Sequence, residues 1–546
     1  MLPQINFSGS DEEITPCLSD LARAVADDGR RQELAGVDGP LTNILGLLSQ
    51  SSRSSAVKFQ CLRVLANACA DNDQNRQILL DDPRFNVVMN NCLDQPGEDK
   101  ICSTATIVLF NFCNDYEPAQ EYLASRGFIP VFLEIVKQKQ NATAITYCLL
   151  ILDLVFANIT EELLPSELQI HFLFEAIAET EVAEHVSLIS NVLTFPMVRQ
   201  SLLDNSHKGL TSLCRIYELL CNALDDDAVL DAVKRFLVVF TEISGMEAFV
   251  NTESDEDLIL FWRSWIVSED ENLDKVSYLR TAGLVLLGNL CISKQSCDNM
   301  IARNIHLDAI KIISAPSSRI SELYSAGGIL KNMAISDANK QNLADHGAFT
   351  SALRLIQNET AAQVVFTGLG LARLLISNSY ENANKLMQTN ISILESANDI
   401  YTARTEQSVK IEIGRLFSAL IRSLALELTG DELTVFLSSS KLKNCNTTIL
   451  QLSISMICDL ITVPLQTGVI PEATVALALL FQSNSNRTLM RSQVIEKPEI
   501  VDRLDEALGE ENGIDEKVKS NVRTLVLLLA DEGADNRLLE LLKKVN

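Results

Sequence analysis

The sequence predicts an all-α solenoid of about a dozen helical repeats, one elongated domain rather than several globular ones. Three observations predict it. A short pattern (apolar, any residue, Asn, apolar, small) recurs as LANAC (65–69), LFNFC (109–113), LGNLC (287–291) and LKNMA (330–334), with separations such as 111 − 67 = 44 and 332 − 289 = 43. Between these sites, apolar positions return at i, i+3, i+4 and i+7 over stretches longer than a strand. Hydrophobic residues make up 47% of the 546-residue chain but aromatic residues only 5%. That balance suits Leu-, Ile- and Ala-rich helices better than a β-sandwich.

Relaxing Asn to any long polar residue completes a ladder through Arg23, Asn67, Asn111, Asp153, Asn191, Arg235, Asn289, Asn332, Arg373, Arg415 and Asp459. Its steps are 44, 44, 42, 38, 44, 54, 43, 41, 42 and 44 residues. A period of this size matches armadillo or HEAT units, of roughly 40–47 residues, wound as a right-handed superhelix. After each Asn motif comes a polar stretch (ADNDQNR, NDYEPAQ, ISKQSCDN, ISDANKQN) in which a turn begins a new helix. Segments such as LASRGFIPVFLEIV (123–136) and LADHGAFTSALRLI (343–356) carry a Gly that ends one helix before an amphipathic one starts. The 54-residue step contains an acidic irregular repeat or insertion. The expected divisions are therefore an N-terminal extension over 1–16, armadillo repeats over 17–244, the irregular segment over 245–276 and armadillo repeats over 277–546.

The formal charge of −27 argues against nucleic acid and anionic membrane surfaces as partners and favours a positively charged one. The acidic N-terminus is not a signal peptide, and the longest apolar run (145–159) carries Asp153 and is too short to span a bilayer. Thirteen cysteines, none in C-x-x-C spacing, read as small buried hydrophobes of a reducing compartment. The expectation is a cytoplasmic, soluble monomer. Five widely spaced histidines offer no metal motif, no cofactor is expected, and no nucleophile or nucleotide-binding motif occurs. TGLGLARLL (367–375) reads as packing glycine, Trp262 and Trp265 as core, and the acidic runs near 225–227, 253–257 and 269–271 as solvated loops. No catalytic constellation emerges.

In a repeat of this kind the last helix packs on both neighbours, so a polar residue at its one solvent-facing position lies on the concave surface. A row of Asn, Asp and Arg would then line a groove. Asn amides can hold an extended backbone and Arg forks can hold carboxylates or carbonyls. The candidate groove residues are Asn67, Asn111, Asp153, Asn289, Asn332, Arg373 and Arg415, passing from neutral or acidic toward basic. For any single rung, a bridge between adjacent repeats is an equally good reading; for the row as a whole, binding is favoured.

Several segments resemble the small-GTPase GDP-dissociation stimulators (smgGDS), armadillo proteins acting on Rho- and Rap-type GTPases. They are CLSDLARAVADD (17–28), LRVLANACAD (62–71), GFIPVFLEIV (127–136), FWRSWI (261–266), the Asn-bearing repeats 281–356 and, most specifically, IGRLFSALIR (413–422). The resemblance implies a non-catalytic exchange factor and chaperone. Such a protein grips the GTPase switch region in its groove, stimulates GDP release and receives a polybasic, prenylated C-terminus. It matches the groove asparagines to Asn289 and Asn332 and the groove arginines to Arg373 and Arg415. The implied partners are Rho-, Rac-, Rap- or Cdc42-type GTPases, without stable membrane insertion. Asp153 departs from the small or amide rung the family has there. The alternatives are a passive armadillo scaffold or adaptor, and a chaperone of heterotrimeric Gα subunits.

Overall fold

Each of the polar stretches after an Asn motif opens a helix, and the reason is local. Side-chain oxygens cap orphan backbone amides at these starts: Asn72 accepts from Asn75 N at 2.9 Å and Ser293 from Ser296 N at 3.1 Å. The first short helix ends within about ten residues at a residue in the left-handed conformation. That residue is Gly127 (φ 79°) or Gly347 (φ 99°) where the sequence places a helix break. His207 and Asn304 hold the same conformation immediately before the next helix, at a cost glycine avoids. A middle helix and a longer third helix follow, giving triplets such as Asp73–Asp81, Phe85–Leu93 and Asp99–Cys113.

The computed structural model describes residues 5–545 apart from 37–38, 95–96, 165–169, 204–206, 359–360, 444–446, 510–513, 531–533 and 535. Among the described residues there is no strand, only an isolated bridge between Lys441 and Thr448. The protein is an all-α, armadillo-repeat solenoid. It divides into two compact units, residues 1–252 and 253–546.

In the first unit the third helices stack in sequence: Asp11–Ala24, Ser55–Cys69, Asp99–Cys113, Ala142–Phe156, Val186–Leu193 and Asp227–Ser244. In the second the stack is Leu273–Leu290, Ile320–Met333, Ala362–Ile376, Gln407–Leu424, Ile470–Leu480 and Glu516–Leu529. Residues 245–276 hold a 3-10 segment, Glu247–Ser254, a helix Glu256–Ile266 and the start of Leu273–Leu290. Glu256–Ile266 packs on Leu273–Leu290 as middle helices pack on third helices elsewhere.

Each third helix is apolar over most of its circumference because it meets neighbours on both sides. In Ala362–Ile376 the buried set runs through Val364, Leu369, Leu371, Leu375 and Ile376. Close approach there requires glycine: a Cβ on Gly368 would lie 2.8 Å from Leu355 Cβ and 2.9 Å from Ala352 O. TGLGLARLL is therefore packing glycine, as its sequence context implies. Trp262 and Trp265 are fully buried core. All but two of the described cysteines are buried, the exceptions being Cys17 and Cys102, and burial pushes the Cys69 and Cys113 thiols up to about 12. The acidic runs work as caps and ion pairs rather than as loose loops. Asp226 caps Asp227–Ser244, Asp255 caps Glu256–Ile266, and Glu256 pairs with Arg303 at 2.7 Å. None of the described helices is long and apolar enough to cross a membrane.

Candidate binding surface

The third helix sets each candidate residue but Arg415 near its own C-terminal end, Arg415 standing in the middle of Gln407–Leu424. Asn67 lies on Ser55–Cys69, Asn111 on Asp99–Cys113 and Asp153 on Ala142–Phe156. In the second unit Asn289, Asn332, Arg373 and Arg415 occupy four consecutive third helices. All seven are half-buried. Each has at least one buried neighbour in sequence, and Asn67 has two, Ala66 and Ala68.

Three of the asparagines reach back to the preceding repeat. The Asn67 amide donates to Ala22 O at 2.8 Å, Asn111 to Ala66 O at 2.8 Å and Asn332 to Gly288 O at 3.1 Å. Each bond supplies a donor to a carbonyl near the C-terminal end of a neighbouring helix, where intrahelical partners run out. The bridging role is therefore real for these rungs. It uses one amide hydrogen of two and leaves the acceptor oxygen of each side chain for other contacts.

The two arginines are held in one ion network. Arg373 Nε lies 2.6 Å from Glu412 Oε1, and Arg415 Nη1 lies 3.2 Å from Glu412 Oε2. Arg415 also forms a bidentate pair with Glu472, at 3.0 and 2.9 Å. Glu412 has only 2% of its side chain exposed. Burial alone would raise the Glu472 carboxyl; the Arg415 hydrogen bonds, with Arg373 and Arg422 nearby, outweigh it and leave the pKa lowered. The basic end expected from Arg373 and Arg415 is thus neutralised within the protein. Arg422 remains exposed beside the pair.

Asp153 behaves differently from a solvent-facing acidic rung. Its Oδ1 is buried without a hydrogen-bond partner, and burial raises its pKa against the lowering effects of a Ser187 hydrogen bond and the nearby His185. It points at the next third helix, Val186–Leu193, rather than presenting a free charge. Two further ladder positions change place. Arg235 is exposed in the middle of Asp227–Ser244 and pairs with Asp231, so the long step reflects its position along that helix. Asp459 lies on Ile449–Thr462, which packs on Ile470–Leu480 as a middle helix; there it accepts from Tyr401 and Lys497.

The sequence pattern missed two sets of residues. Glu412 had a signal, three residues before Arg415 on one helix face; Glu472, 57 residues away, had none. The other set is a buried amide near the start of several first helices that closes the end of the preceding third helix. Asn75 donates to Ala68 O at 2.9 Å, Gln120 to Cys113 O at 3.0 Å, Asn382 to Leu375 O at 2.9 Å and Asn486 to Leu480 O at 2.8 Å. The next residue in the helix extends the contact forward. Arg76 Nε donates to Asn111 O at 2.9 Å, Lys340 reaches Ser377 O, and Cys297 Sγ lies 3.6 Å from Asn332 O. No group of three or more metal-ligating side chains occurs among the described residues.

Known proteins align with this architecture. The family model described as the BEM4 N-terminal domain matches residues 11–225. The Rap1 GTPase-GDP dissociation stimulators 1-A and 1-B of Xenopus laevis are each 23% identical over 444 residues, covering 74% of this chain and 68% of theirs. A solved structure concerning a phosphorylation switch in the interaction between cadherin and beta-catenin aligns with a TM-score of 0.53 at 14% identity. That alignment covers 94% of this chain and 96% of the other, and it bears on the fold alone. With the Asn-bearing third helices in place, the chain is an armadillo-repeat protein similar over about three quarters of its length to the Rap1 GTPase-GDP dissociation stimulators.

Proposed function

We propose that the protein is a non-catalytic regulator of small GTPases of the Rho, Rac, Rap or Cdc42 type. It binds them through the third-helix surface bearing Asn289, Asn332, Arg373 and Arg415, with Asn67, Asn111 and Asp153 on the corresponding surface of the first unit. It stimulates GDP release and receives the polybasic, prenylated tail in the cytoplasm. The observation that carries this reading is the 23% identity over 444 residues to proteins named for stimulating GDP dissociation from Rap1. The half-buried amides of Asn67, Asn111 and Asn332, which engage the preceding repeat through one amide hydrogen, support it, because they can hold a partner's backbone without displacing core. A charge of −27 favours a lysine-rich tail. Exchange of this kind lowers nucleotide affinity by differential binding and needs no catalytic side chain.

The test is release of fluorescent GDP from prenylated and unprenylated GTPases of these types, with and without the protein. Faster release supports the reading; no binding and no acceleration across all four types ends it. Asn289→Ala with Asn332→Ala lowers affinity for the GTPase at a temperature where helical content matches the parent protein. The engagement of the asparagine amides between repeats favours one alternative, a passive armadillo scaffold. Partners recovered by pull-down that are not GTPases, and whose binding ignores nucleotide state, would establish it instead.

A further inference from the structure

The position two residues after the left-handed break is a core position in this repeat. Ile129 stands there after Gly127 and Phe349 after Gly347, 1% and 2% exposed respectively. His306 stands at the same place after Asn304 and is 2% exposed. A neutral imidazole carries one N–H donor and one acceptor nitrogen. Both ring nitrogens of His306 are buried, and neither has a hydrogen-bond partner. Burying polar atoms without partners is unfavourable, so packing does not explain a histidine where isoleucine and phenylalanine serve in other repeats.

The ring that meets it is His346, in the turn between Asp337–Asp345 and Ala348–Ile356 one repeat later. The two imidazoles lie 5.4 Å apart, centre to centre, with 82° between their planes. Wide spacing hid the pair in the sequence: 346 − 306 = 40 residues is close to one repeat. His346 is exposed. Its Nδ1 lies 2.8 Å from Asn342 O, a carbonyl that can only accept, so Nδ1 holds the proton and Nε2 presents a lone pair. A backbone carbonyl on one nitrogen is the arrangement that orients a metal-ligating imidazole through the other.

We propose that His306 and His346 form a metal-binding site, a two-imidazole clamp for a divalent transition ion of the zinc, copper or nickel class. Bonds of about 2.0–2.1 Å from one tetrahedral ion to a nitrogen of each ring put the ring centres about 5.2 Å apart. The 5.4 Å separation meets this, and rotation about each bond allows the angle between the planes. The carboxylates next in sequence are committed elsewhere: Asp308 pairs with Arg263 at 2.8 Å and Asp345 with Lys385 at 2.6 Å. Among the described residues no third ligand joins the pair, so water fills the outer positions. Imidazole ligands without carboxylates select against magnesium and calcium. The ion ties the start of Ile305–Ser314 to the turn before Ala348–Ile356, helices that pack on each other, and engages a His306 nitrogen that the fold leaves alone. Neither imidazole lies on a third helix, so the site does not rest on the partner proposed above.

The test is calorimetric titration of Zn2+ into the full chain after it has been stripped with EDTA. The expected result is a saturable site that Mg2+ does not fill. His346→Ala, at an exposed position, should weaken zinc at least about tenfold, and so should His306→Phe, which carries the side chain of its counterpart Phe349. In the unmutated protein zinc should slow amide exchange over Ile305–Ser314 and Ala348–Ile356. No saturable binding up to about 1 mM Zn2+ would overturn the proposal. So would zinc that binds equally well to His346→Ala, or that slows exchange only in other helices. These outcomes are read in the unmutated protein or in a surface variant, so a His306 variant that fails to fold leaves the test intact.

Discussion

Removing the Glu412 carboxylate should separate the structural from the binding role of the two ladder arginines. Glu412 is 2% exposed and bridges Arg373 and Arg415, whose side chains are 17% and 28% exposed. In Glu412→Ala, Arg415 keeps its bidentate pair with Glu472, whereas Arg373 loses the one carboxylate within 4 Å. Stranding one partner of a buried ion pair costs about 3–5 kcal/mol. The partial exposure of Arg373 puts this case near about 3 kcal/mol. Glu412→Gln keeps an acceptor for Arg373 and should lose about half as much. A repeat array unfolds in segments, so the assay is urea denaturation followed by hydrogen exchange resolved to Ala362–Ile376 and Gln407–Leu424. Adding Arg373→Met to Glu412→Ala should restore part of the loss, with coupling of about 1–3 kcal/mol. A Glu412→Ala loss below about 0.5 kcal/mol, or additive behaviour in the double variant, would refute the network as the tie between these repeats.

Three further expectations follow from the same geometry. Asn382→Ala, which leaves Leu375 O without its donor in a fully buried site, should cost about 2 kcal/mol, against about 1 kcal/mol for the half-buried Asn332→Ala; chemical denaturation of both ranks them. Gly368→Ala should destabilise by about 1–3 kcal/mol through contact with Leu355 and Ala352, whereas Gly328→Ala, whose Cβ meets nothing within 4 Å, should gain about 0.5–1 kcal/mol. Thermal melting gives both signs. Burial lowers the pKa of His185 and of His306, the latter also repelled by His346. The unfolded chain therefore takes up these protons first, and stability present above pH about 6.5 is lost as pH falls toward the lowered folded values. The slope reaches at most about 1.4 kcal/mol per pH unit for each histidine. His306→Gln should reduce the slope measured between pH 7 and pH 5.5, roughly the window this linkage spans; an unchanged slope would exclude His306 as its source.

The repeat was legible because its period is written in side chains that the fold cannot vary freely. Asn67, Asn111, Asn289 and Asn332 stand one or two residues before the end of a third helix, and the apolar spacing around them reports burial on two sides. Arg235 and Asp459 fitted the same period yet occupy other places, one in mid-helix and one on a middle helix. A period near that of the repeat fixes the count of units but not which of three helices a polar residue belongs to. Charge was less legible than spacing. Arg373 and Arg415 read as a basic surface because Glu472 approaches only through the fold. Asn75 reads only as part of a polar turn and Asn382 carries no signal, although each is completely buried against a helix end.

Asn111 grips Ala66 O through its side chain while its own carbonyl is gripped by Arg76, and Asn332 stands in the same double relation to Gly288 O and Cys297. These two repeat ends are each at once a hand and a handle, and the fit recurs only at whole-repeat intervals. Change in length is consequently quantised. Excising 68–111 joins the segment ending at Asn67 to the one beginning at Phe112 and keeps the Asn67 bond to Ala22 O and the Gln120 bond to Cys113 O in register, while the Arg76 grip leaves with the excised unit. Excising half as much leaves hands with nothing to hold. Growth and shrinkage of such a chain can proceed by entire units, and a cut at any other interval falls on the mechanism that joins them.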